Sequence, residues 1–388
     1  MDLSADMLQQ LAQQATGAEQ LGQLPPATVD ILRTSGVTRM LQPRDWGGME
    51  SHPAQFMQAV MTIAAHNPSA GWVAGVVGVH TWEAALNDER LLNDIWRDDA
   101  SNWIASPYAP MGVATPHENG YRLSGRWTFS SGTDHCQWIV LGALTADASG
   151  KPLHPPQVMH VMLPRADYTI VPGSWQVMGL QGTGSKDVTV QDAYIPAYRC
   201  LSTKTLMSGA AYDTAPCKSH LYRMPWSSIF PNAITAAVLG ICEGALQAAL
   251  ALAKARVLQS KTQQADPFLL VMLGEAATEI RASQAMLLAN VSAAYEAAAH
   301  NRPLSLEQRA ANRSEQVRGA WRAVRAVNDI FNRSGGGALK TDSPLHRFWR
   351  DANAGLNHAT FNGNGVYQVQ AALAMGIATQ EQIDNALI

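Results

Sequence analysis

Charged residues are scarce in this chain. Asp, Glu, Lys and Arg make up 15% of its 388 residues, whereas an average globular protein has about 25%. The formal net charge is -3 and there is no basic stripe, which excludes the electrostatic footprint of a nucleic-acid-binding protein. Hydrophobic residues reach 47%, and many of them are alanine. We therefore expect extensive helix–helix burial, or subunit faces hidden in an oligomer.

Cysteine is also rare, and metal-binding motifs are missing. The cysteines form no C-x-x-C pair, and the eleven histidines form no H-x-x-x-H or H-E-x-x-H pair. This pattern predicts no metal site and unpaired thiols in a reducing cytoplasm for Cys136, Cys200, Cys217 and Cys242. No apolar run approaches the roughly 18 residues of a membrane helix, and residues 1–14 do not resemble a signal peptide. We expect a cytoplasmic protein that does not enter a membrane.

The pattern of apolar and polar residues changes twice along the chain. Helical periodicity extends from Leu8 to about Arg97, short strand-like runs begin near Trp103, and long Ala/Leu-rich helices return from Ile229. We predict an N-terminal helical domain over residues 1–104, a β domain over 105–205 and a C-terminal helical bundle over 206–388. At about 150 residues per domain, the chain has room for two to three domains.

The strongest strand signal is a hairpin. The runs Val113–Glu118 and Tyr121–Thr128 flank Asn119-Gly120, a pair of residues that tolerate the positive φ of a tight turn. Further strands are predicted over Trp138–Ala143, Val158–Leu163 and Asp187–Tyr194. Together these runs predict a small antiparallel barrel or sheet that ends near Ile195-Pro196.

The long helices have clear sequence boundaries. They are predicted over Ile234–Leu258, Met272–Ala299, Ser305 to about Asn332, and Leu345–Asn357. Ser305 and Gln308 fit a capping box at the start of the third helix, which ends at Ser334–Gly337.

In the N-terminal part, glycines spaced three to four residues apart allow helices or a ligand to approach the backbone: Gly71, Gly75 and Gly78.

Three features have both a structural and a functional interpretation. Gly179–Ser185 lacks the G-K-[ST] of a phosphate-binding loop and precedes a strand, which favours a turn between two strands. Trp127–Gly132 is either an ordinary strand and turn or the wall of a pocket for a flat heteroaromatic ring. His80 and His358 are either core histidines or, because imidazole titrates near neutral pH, groups that can take a phenol proton.

Segments spread over nearly the whole chain resemble those of one enzyme family, in the same order. They are Leu41–Gly48, Ser69–Trp72, Val77–His80, Ser106–Gly112, Trp127–Gly132, Gly179–Ser185, Tyr222–Trp226 and His346–His358. In these segments the chain resembles the oxygenase components of two-component flavin monooxygenases (group D), and most of all the branch that ortho-hydroxylates a phenolic secosteroid in bacterial steroid degradation. The resemblance implies an acyl-CoA dehydrogenase-like fold of the α+β class, mostly α. It would have an N-terminal helical domain, a central antiparallel β-barrel domain and a C-terminal four-helix bundle.

The resemblance also implies a reaction. A separate reductase would supply reduced flavin, FMNH2 or FADH2, which O2 converts to a C4a-hydroperoxide that hydroxylates a phenolic or polycyclic aromatic substrate. One departure separates the chain from acyl-CoA dehydrogenases, because no acid follows Arg350-Asp351 until Glu381, and His358 stands near the place of their catalytic Glu. Because Glu243 or Glu275 on other helices could supply that carboxylate, an acyl-CoA dehydrogenase is one alternative. A related N-, S- or indole oxygenase is another.

Site residues follow from the same resemblance. The two site histidines of the family fall on His80 and His358. We expect His358 to be the base, His80 to orient the substrate oxygen, and Ser106 to donate a hydrogen bond to that oxygen. Tyr108 and Asn357 are expected to shape the substrate pocket.

The flavin is expected to contact a second group of residues. Ser131 would lie near its N5, with Trp127 and Trp82 as walls of the cleft. Arg256 and the turn at Ser334-Gly335 would hold its phosphate, although Arg256 is equally well explained as a solvated cation at a helix end. Because flavin sites in this fold lie near subunit contacts, we predict a homotetramer.

Overall fold

The computed structural model describes residues 3–260, 264, 266–386 and 388. Its first part is helical, with α1 (Ala5–Leu21), α2 (Pro26–Ser35), α3 (Pro53–His66), α4 (Pro68–Ala84) and α5 (Glu89–Trp96). Side chains accept backbone N–H groups at the starts of α1, α4 and α5, where Ser4, Asn67 and Asp88 stand. These caps satisfy donors that the first helical turn leaves unpaired.

Helix α4 is the centre of this part, and all of its residues are buried. A Cβ atom added at Gly71 would lie 2.4 Å from the Cα atom of Ala64 on α3, and one at Gly78 would lie 2.6 Å from the ring of Phe56. The close backbone approach predicted from the glycine spacing is confirmed, with helices as the neighbours. Tight packing on every side gives α4 a fixed position, and with it the histidine that it carries.

A single eight-stranded sheet follows. Its strands are β1 (Ile104–Ala105), β2 (Gly112–His117), β3 (Gly120–Ser130), β4 (Trp138–Thr145), β5 (Val158–Pro164), β6 (Thr169–Ile170), β7 (Lys186–Pro196) and β8 (Cys200–Ser202). The order is β6-β7-β3-β2-β4-β5-β8, with β1 beside β4. Most pairings are antiparallel, but β1–β4 and β2–β4 are parallel. The sheet is therefore rich in antiparallel pairs, as predicted, and its parallel β2–β4 pairing arises because the chain crosses to the far side of β2 between β3 and β4.

The predicted β2–β3 hairpin is present, but its turn lies one residue earlier than expected. His117 pairs with Gly120, so the turn residues are Glu118 and Asn119, and Glu118 has a φ of 49°. Gly120 belongs to β3, where an added Cβ would lie 2.1 Å from the carbonyl oxygen of Ile195 on β7. The glycine is needed for the contact between strands and not for the turn.

Helices complete the chain. They are α6 (Thr203–Ser208), α7 (Ala211–Thr214), α8 (Trp226–Gln259), α9 (Pro267–Ala299), α10 (Leu306–Arg333), α11 (Pro344–Gly355), α12 (Gly363–Ala374) and α13 (Gln380–Asn385). The predicted capping box of Ser305 and Gln308 is confirmed at the start of α10. Helix α8 begins earlier than the predicted Ile234 and includes Pro231, whose ring lacks the N–H that would otherwise donate to the carbonyl oxygen of Ser227.

Helix α8 is an exception to the expectation that no segment could cross a membrane. Within the described ranges it is the one helix that is long and apolar enough to do so, and 61% of its apolar window is buried inside the protein. A helix at the centre of a bundle gives the same signal, because its neighbours require apolar residues on all sides.

Candidate active site

Two histidines that are far apart in the sequence contact the same aromatic ring. His80 of α4 stacks on Phe230 of α8, with 6.3 Å between the ring centroids. His358, just after α11, approaches the same ring to 6.1 Å. His80 is fully buried and His358 is half-buried. The fold thus brings together the two histidines singled out from the sequence.

Hydrogen bonding determines the tautomer of His80. Its Nδ1 lies 2.8 Å from the carbonyl oxygen of Ile104 on β1. Because a carbonyl oxygen only accepts, Nδ1 carries the proton and Nε2 presents a lone pair. That buried Nε2 meets no hydrogen-bond partner in the described part of the chain. Burial lowers the pKa of His80 to about 4, which keeps the ring neutral at neutral pH. His80 therefore offers an open proton acceptor.

His358 has the opposite arrangement. It caps the short 3-10 helix Ala359–Phe361, where its Nδ1 accepts the backbone N–H of Thr360 at 3.3 Å, so the proton lies on Nε2. Burial and the nearby Arg313 guanidinium lower the pKa of His358 to about 4. Arg313 is buried on α10 and donates to the carbonyl oxygen of Thr360 at 3.1 Å. His358 is thus a neutral N–H donor, and these hydrogen bonds favour the reverse of the two roles expected from the sequence.

The segment after β1 lies beside His80. Ser106 is only 7% exposed, and the ring of Tyr108 stands edge-on to His80 with 5.3 Å between centroids. Strand β4 supports this segment, because a Cβ added at Gly142 would lie 2.0 Å from the carbonyl oxygen of Tyr108. Tyr108 therefore lies beside both His80 and Phe230, and Ser106, the other residue predicted to meet the substrate at this point, precedes it by two residues in the same segment.

Ser131 belongs to a chain of buried hydroxyl groups. The Nε1 of Trp72 donates to its Oγ at 3.1 Å. The same Oγ lies 2.7 Å from Ser185 Oγ, which lies 2.7 Å from Thr183 Oγ1. Trp72 also presents its ring to His358 at 5.8 Å. The serine predicted to meet the flavin ring is therefore connected through one indole to the second histidine.

The two tryptophans predicted as flavin walls are buried, and both indole N–H groups are hydrogen-bonded within the chain. Trp127 is fully buried and its indole N–H donates to the carbonyl oxygen of Gly142 at 2.7 Å. Trp82 is 1% exposed and donates to the carbonyl oxygen of Leu221 at 2.9 Å. Both side chains are part of the core of the single chain, and their role as walls of the flavin cleft stays a prediction.

A different aromatic residue is open to a ligand near Ser131. Phe129 is 68% exposed and has a φ of 66°, in the left-handed region that costs a non-glycine residue about 1 to 3 kcal/mol. A register shift between Trp127 and Ser130 accompanies it. Without that bulge Phe129 would share the buried face of Trp127, since residues two apart in a strand point the same way. Strained backbone of this kind is common at ligand sites.

Gly179–Ser185 connects β6 and β7, as the sequence predicts, and it also supplies two of the buried hydroxyls. Asp351 of α11 ties it to the bundle, because its Oδ1 accepts the N–H of Leu180 at 2.6 Å. Burial raises the pKa of Asp351 to about 7, even though this hydrogen bond and the neighbouring Arg350 act in the opposite direction.

The raised pKa of Asp351 predicts a pH dependence of stability. The carboxyl group titrates at about 7 when folded and near 3.8 when unfolded, so the folded chain binds more protons between these values. Its contribution to the free energy of unfolding therefore falls as the pH rises from about 4 to about 7. Asn retains the acceptor for Leu180 and does not ionise. We expect D351N to gain stability relative to the wild type between about pH 5 and about pH 8, measured by urea unfolding. A stability difference that stays constant with pH would contradict this.

The residues predicted to hold the flavin phosphate form a separate group at the far end of α8. Arg256 donates to the carbonyl oxygen of Ser334, and Gly335 follows with a φ of 70°. A neighbouring cavity of about 500 Å³ is lined by Arg256 and Arg333 among others. At about 1.5 Å per residue, Arg256 lies roughly 39 Å along α8 from Phe230. This separation exceeds the length of a flavin nucleotide, so one chain alone cannot place both groups on one flavin.

Three further candidates lie outside the histidine cluster. Asn357 is exposed, and its Nδ2 donates back to the carbonyl oxygen of Asn353 at 3.1 Å. Glu243 accepts from Gln247 at 3.2 Å, and Glu275 is exposed. Among the contacts of the described residues, neither acid pairs with His80 or His358.

Sequence analysis did not assign roles to several residues of the site. Trp72 and Ser185 lie within segments that resemble the family, Ser69–Trp72 and Gly179–Ser185, so a signal was available for both. Arg313 gave no signal, because one arginine among many on a helix is indistinguishable from a solvated cation until the fold buries it.

Comparisons with known proteins cover almost the whole chain. The family model for the acyl-CoA dehydrogenase C-terminal domain matches residues 232–363. A pigment production hydroxylase of Rhodococcus erythropolis is 45% identical, over 94% of this chain and 93% of that protein. The flavin-dependent monooxygenase oxygenase subunit HsaA of Mycobacterium tuberculosis is 36% identical, over 94% and 92%. The crystal structure of 3-HSA hydroxylase from Rhodococcus sp. RHA1 matches with a TM-score of 0.92 at 34% identity, over 97% of each chain.

Proposed function

The chain belongs to the oxygenase components of the flavin-dependent aromatic hydroxylases, and on that premise we propose that it hydroxylates a phenol ortho to its oxygen, using reduced flavin from a separate reductase. The observation that carries the choice of a phenol is the open Nε2 of buried His80, which lies beside the Tyr108 ring of the segment that also contains Ser106. The similarity to HsaA supports an aromatic ring as the substrate.

His80 is the proposed base. With Nδ1–H held by the Ile104 carbonyl, a phenol placed against Nε2 donates its proton there, and the Ser106 hydroxyl donates to the same oxygen. Transfer of that proton leaves a phenolate beside an imidazolium, and the opposite charge raises the pKa of His80 above its resting value. The phenolate ring is richer in electrons at its ortho carbons, which prepares it to accept an oxygen atom.

The residues around His358 and Ser131, which Trp72 connects, fit a flavin. Reduced flavin, when bound, supplies together with O2 the oxygen atom that is transferred. Ser131 offers a hydroxyl for the flavin N5, Phe129 offers an exposed aromatic face, and His358 offers an N–H donor for an oxygen of the cofactor. These donors are set among apolar side chains, which keeps bulk water from the reacting atoms.

A matched pair of substrates tests the proposal. The full-length chain is mixed with reduced flavin, O2 and either a phenol or the corresponding methyl ether, and hydroxylated product and H2O2 are measured. We expect product from the phenol and mainly H2O2 with the ether, because the ether has no proton to give to His80. Equal hydroxylation of the two would contradict the proton-acceptor role. Oxidation of indoles or thiophenes without any reaction of phenols would support the N- or S-oxygenase alternative.

We further propose that the chain is a homotetramer in which a partner subunit completes the flavin site. Exposed apolar side chains surround Arg256 on α8 and the start of α9, and they are Leu250, Leu258, Phe268, Leu270 and Val271. Burying such a surface against another copy removes apolar area from water. It would also bring one subunit's Arg256 towards the Ser131 site of another, which explains the separation along α8.

Substitution within this apolar surface tests the assembly. Phe268 is 76% exposed, so F268D leaves the folding of one chain intact while placing a charge in the proposed interface. We expect light scattering to show four copies for the wild type and fewer for F268D, with weaker flavin binding in parallel. L21D is the matched control, because Leu21 on α1 is 58% exposed and lies outside this surface. A monomeric wild type would contradict the proposal.

A further inference from the structure

A buried acid–imidazole pair lies behind the proposed phenol site. Glu83 of α4 and His160 of β5 are 1% and 4% exposed, and Glu83 Oε1 lies 2.6 Å from His160 Nδ1. Removing such groups from water costs several kcal/mol per ion, which a hydrogen-bonded partner only partly offsets. Titratable groups buried at this cost are often found where a charge serves function.

The pair reaches the phenol site by two routes. The ring of Tyr108 stacks on His160, with 4.4 Å between centroids and 13° between planes, and its edge contacts involve His80 and Phe230. Glu83 also follows His80 by three residues on α4, so both side chains lie on the same helix face. The Tyr108 ring therefore connects His160 to His80, and one turn of α4 connects Glu83 to His80.

The negative charge of Glu83 acts on the pKa of His80 in the direction opposite to burial. The titratable groups that face it are Glu83 on its own helix, Tyr108 after β1 and His160 on β5. Although burial dominates the pKa of His80, the negative charge of Glu83 raises it, and His160 lowers it by less. Burial raises the pKa of Glu83, but the charge and hydrogen bond of His160 outweigh this and hold it below its ordinary value. Glu83 is therefore ionised at neutral pH.

Tyr108 is fixed by the same acid. Burial, the charge of Glu83 and a hydrogen bond to Glu83 together raise the pKa of Tyr108 well above its ordinary value. The phenol group of Tyr108 therefore stays protonated.

We propose that Glu83, held by His160, is the positioning residue for His80. It fixes the Tyr108 ring that forms the wall of the phenol site, and its negative charge stabilises the imidazolium formed when His80 takes the phenol proton. The proton moves from the phenol oxygen to His80 Nε2, and Glu83 neither gains nor loses one. This inference rests on the proposed function. It adds that the charge of Glu83 increases the basicity of His80.

The test is the protonation state of a bound phenol, read without turnover. The probe is 4-nitrophenol, whose phenolate is yellow, added anaerobically to the full-length chain with reduced flavin and titrated with pH. We expect the wild type to lower the apparent pKa of the bound probe. E83Q preserves the shape of Glu83 without its charge, and it should raise that apparent pKa by about 1, a tenfold change in the protonation equilibrium. A folded E83Q that leaves it unchanged overturns the proposal, whatever its effect on stability.

Two further variants complete the experiment. E279Q is the matched control, because Glu279 forms a 2.6 Å ion pair with Arg322 on the bundle surface, and it should leave the probe unchanged. If E83Q does not fold, Y108F decides, since it keeps the ring but removes the hydroxyl that interacts electrostatically with Glu83. Y108F should raise the apparent pKa of the probe by a smaller amount, and no change in Y108F overturns the proposal. A wild type that lowers the pKa of the probe yet never hydroxylates phenols would refute the proposed function and leave the role of Glu83 standing.

Discussion

Replacing His80 with asparagine is expected to lower the rate of phenol hydroxylation by about 100- to 10,000-fold, the contribution typical of a general base. The asparagine amide takes the place of Nδ1–H and retains the hydrogen bond to the Ile104 carbonyl. No acceptor remains at the position of Nε2, so the phenol keeps its proton. Oxidation of reduced flavin by O2 continues, and H2O2 replaces the product. Product and H2O2 per flavin, measured in a single turnover, show the change directly.

Two histidine variants serve as comparisons for H80N. His66 on α3 also has its Nδ1 near a backbone carbonyl, that of Thr62 at 2.9 Å, and H66N should match the wild type. H358A should lower hydroxylation while flavin binding and H2O2 formation persist, with a smaller loss than in H80N. If H80N retained coupled turnover and the loss were confined to H358A, the base would be His358, as expected from the sequence.

Replacing Ser131 with alanine is expected to produce the second large effect. The Ser131 oxygen is the proposed acceptor for the flavin N5–H, and one preorganised hydrogen bond at the reacting atoms is commonly worth about 100-fold or more in rate. We expect the ratio of product to H2O2 to fall by about 10- to 100-fold in S131A. The loss of the hydroxyl also leaves Trp72 Nε1 without its acceptor, which lowers stability by about 1 to 3 kcal/mol. The measurements are product and H2O2 in a single turnover and the unfolding free energy in urea.

The preceding residue provides the control for S131A. Ser130 is fully buried, and its Oγ has no hydrogen-bond partner within the ranges the structure describes. Removing an unsatisfied hydroxyl costs little, so S130A should retain both coupling and stability. Uncoupling in S130A with normal turnover in S131A would place the flavin N5 at the other serine.

Local sequence signals predicted much of the helical architecture. The capping box at Ser305 and the long apolar periodicity that follows it depend on residues within a few turns of one another. The strands were found for the same reason. The position of the β2–β3 turn was not predicted correctly. Gly120 contacts Ile195 on β7, which is distant in the sequence, and this contact places Gly120 in the strand and not in the turn.

The site residues also fall into those that the sequence indicates and those that depend on contacts made only in the fold. Family resemblance selected His80, His358 and Ser131, and the structure brings these three into one connected cluster. The resemblance could not show that Phe129 and not Trp127 is the exposed aromatic residue, because a bulge in β3 decides which side chain faces outward. Nor could it assign the tautomers, since each depends on a backbone group supplied by another part of the fold or by a local cap.

The central claim is that this chain transfers one oxygen atom from O2 to a phenol while reduced flavin is consumed. The most direct measurement is a single turnover of the full-length protein with reduced flavin, a phenol and isotopically labelled O2, followed by mass spectrometry of the product. We predict one labelled oxygen atom in each molecule of an ortho-dihydroxy product. Product that carries oxygen only from water, or an enzyme that oxidises acyl thioesters and leaves phenols untouched, would contradict the account.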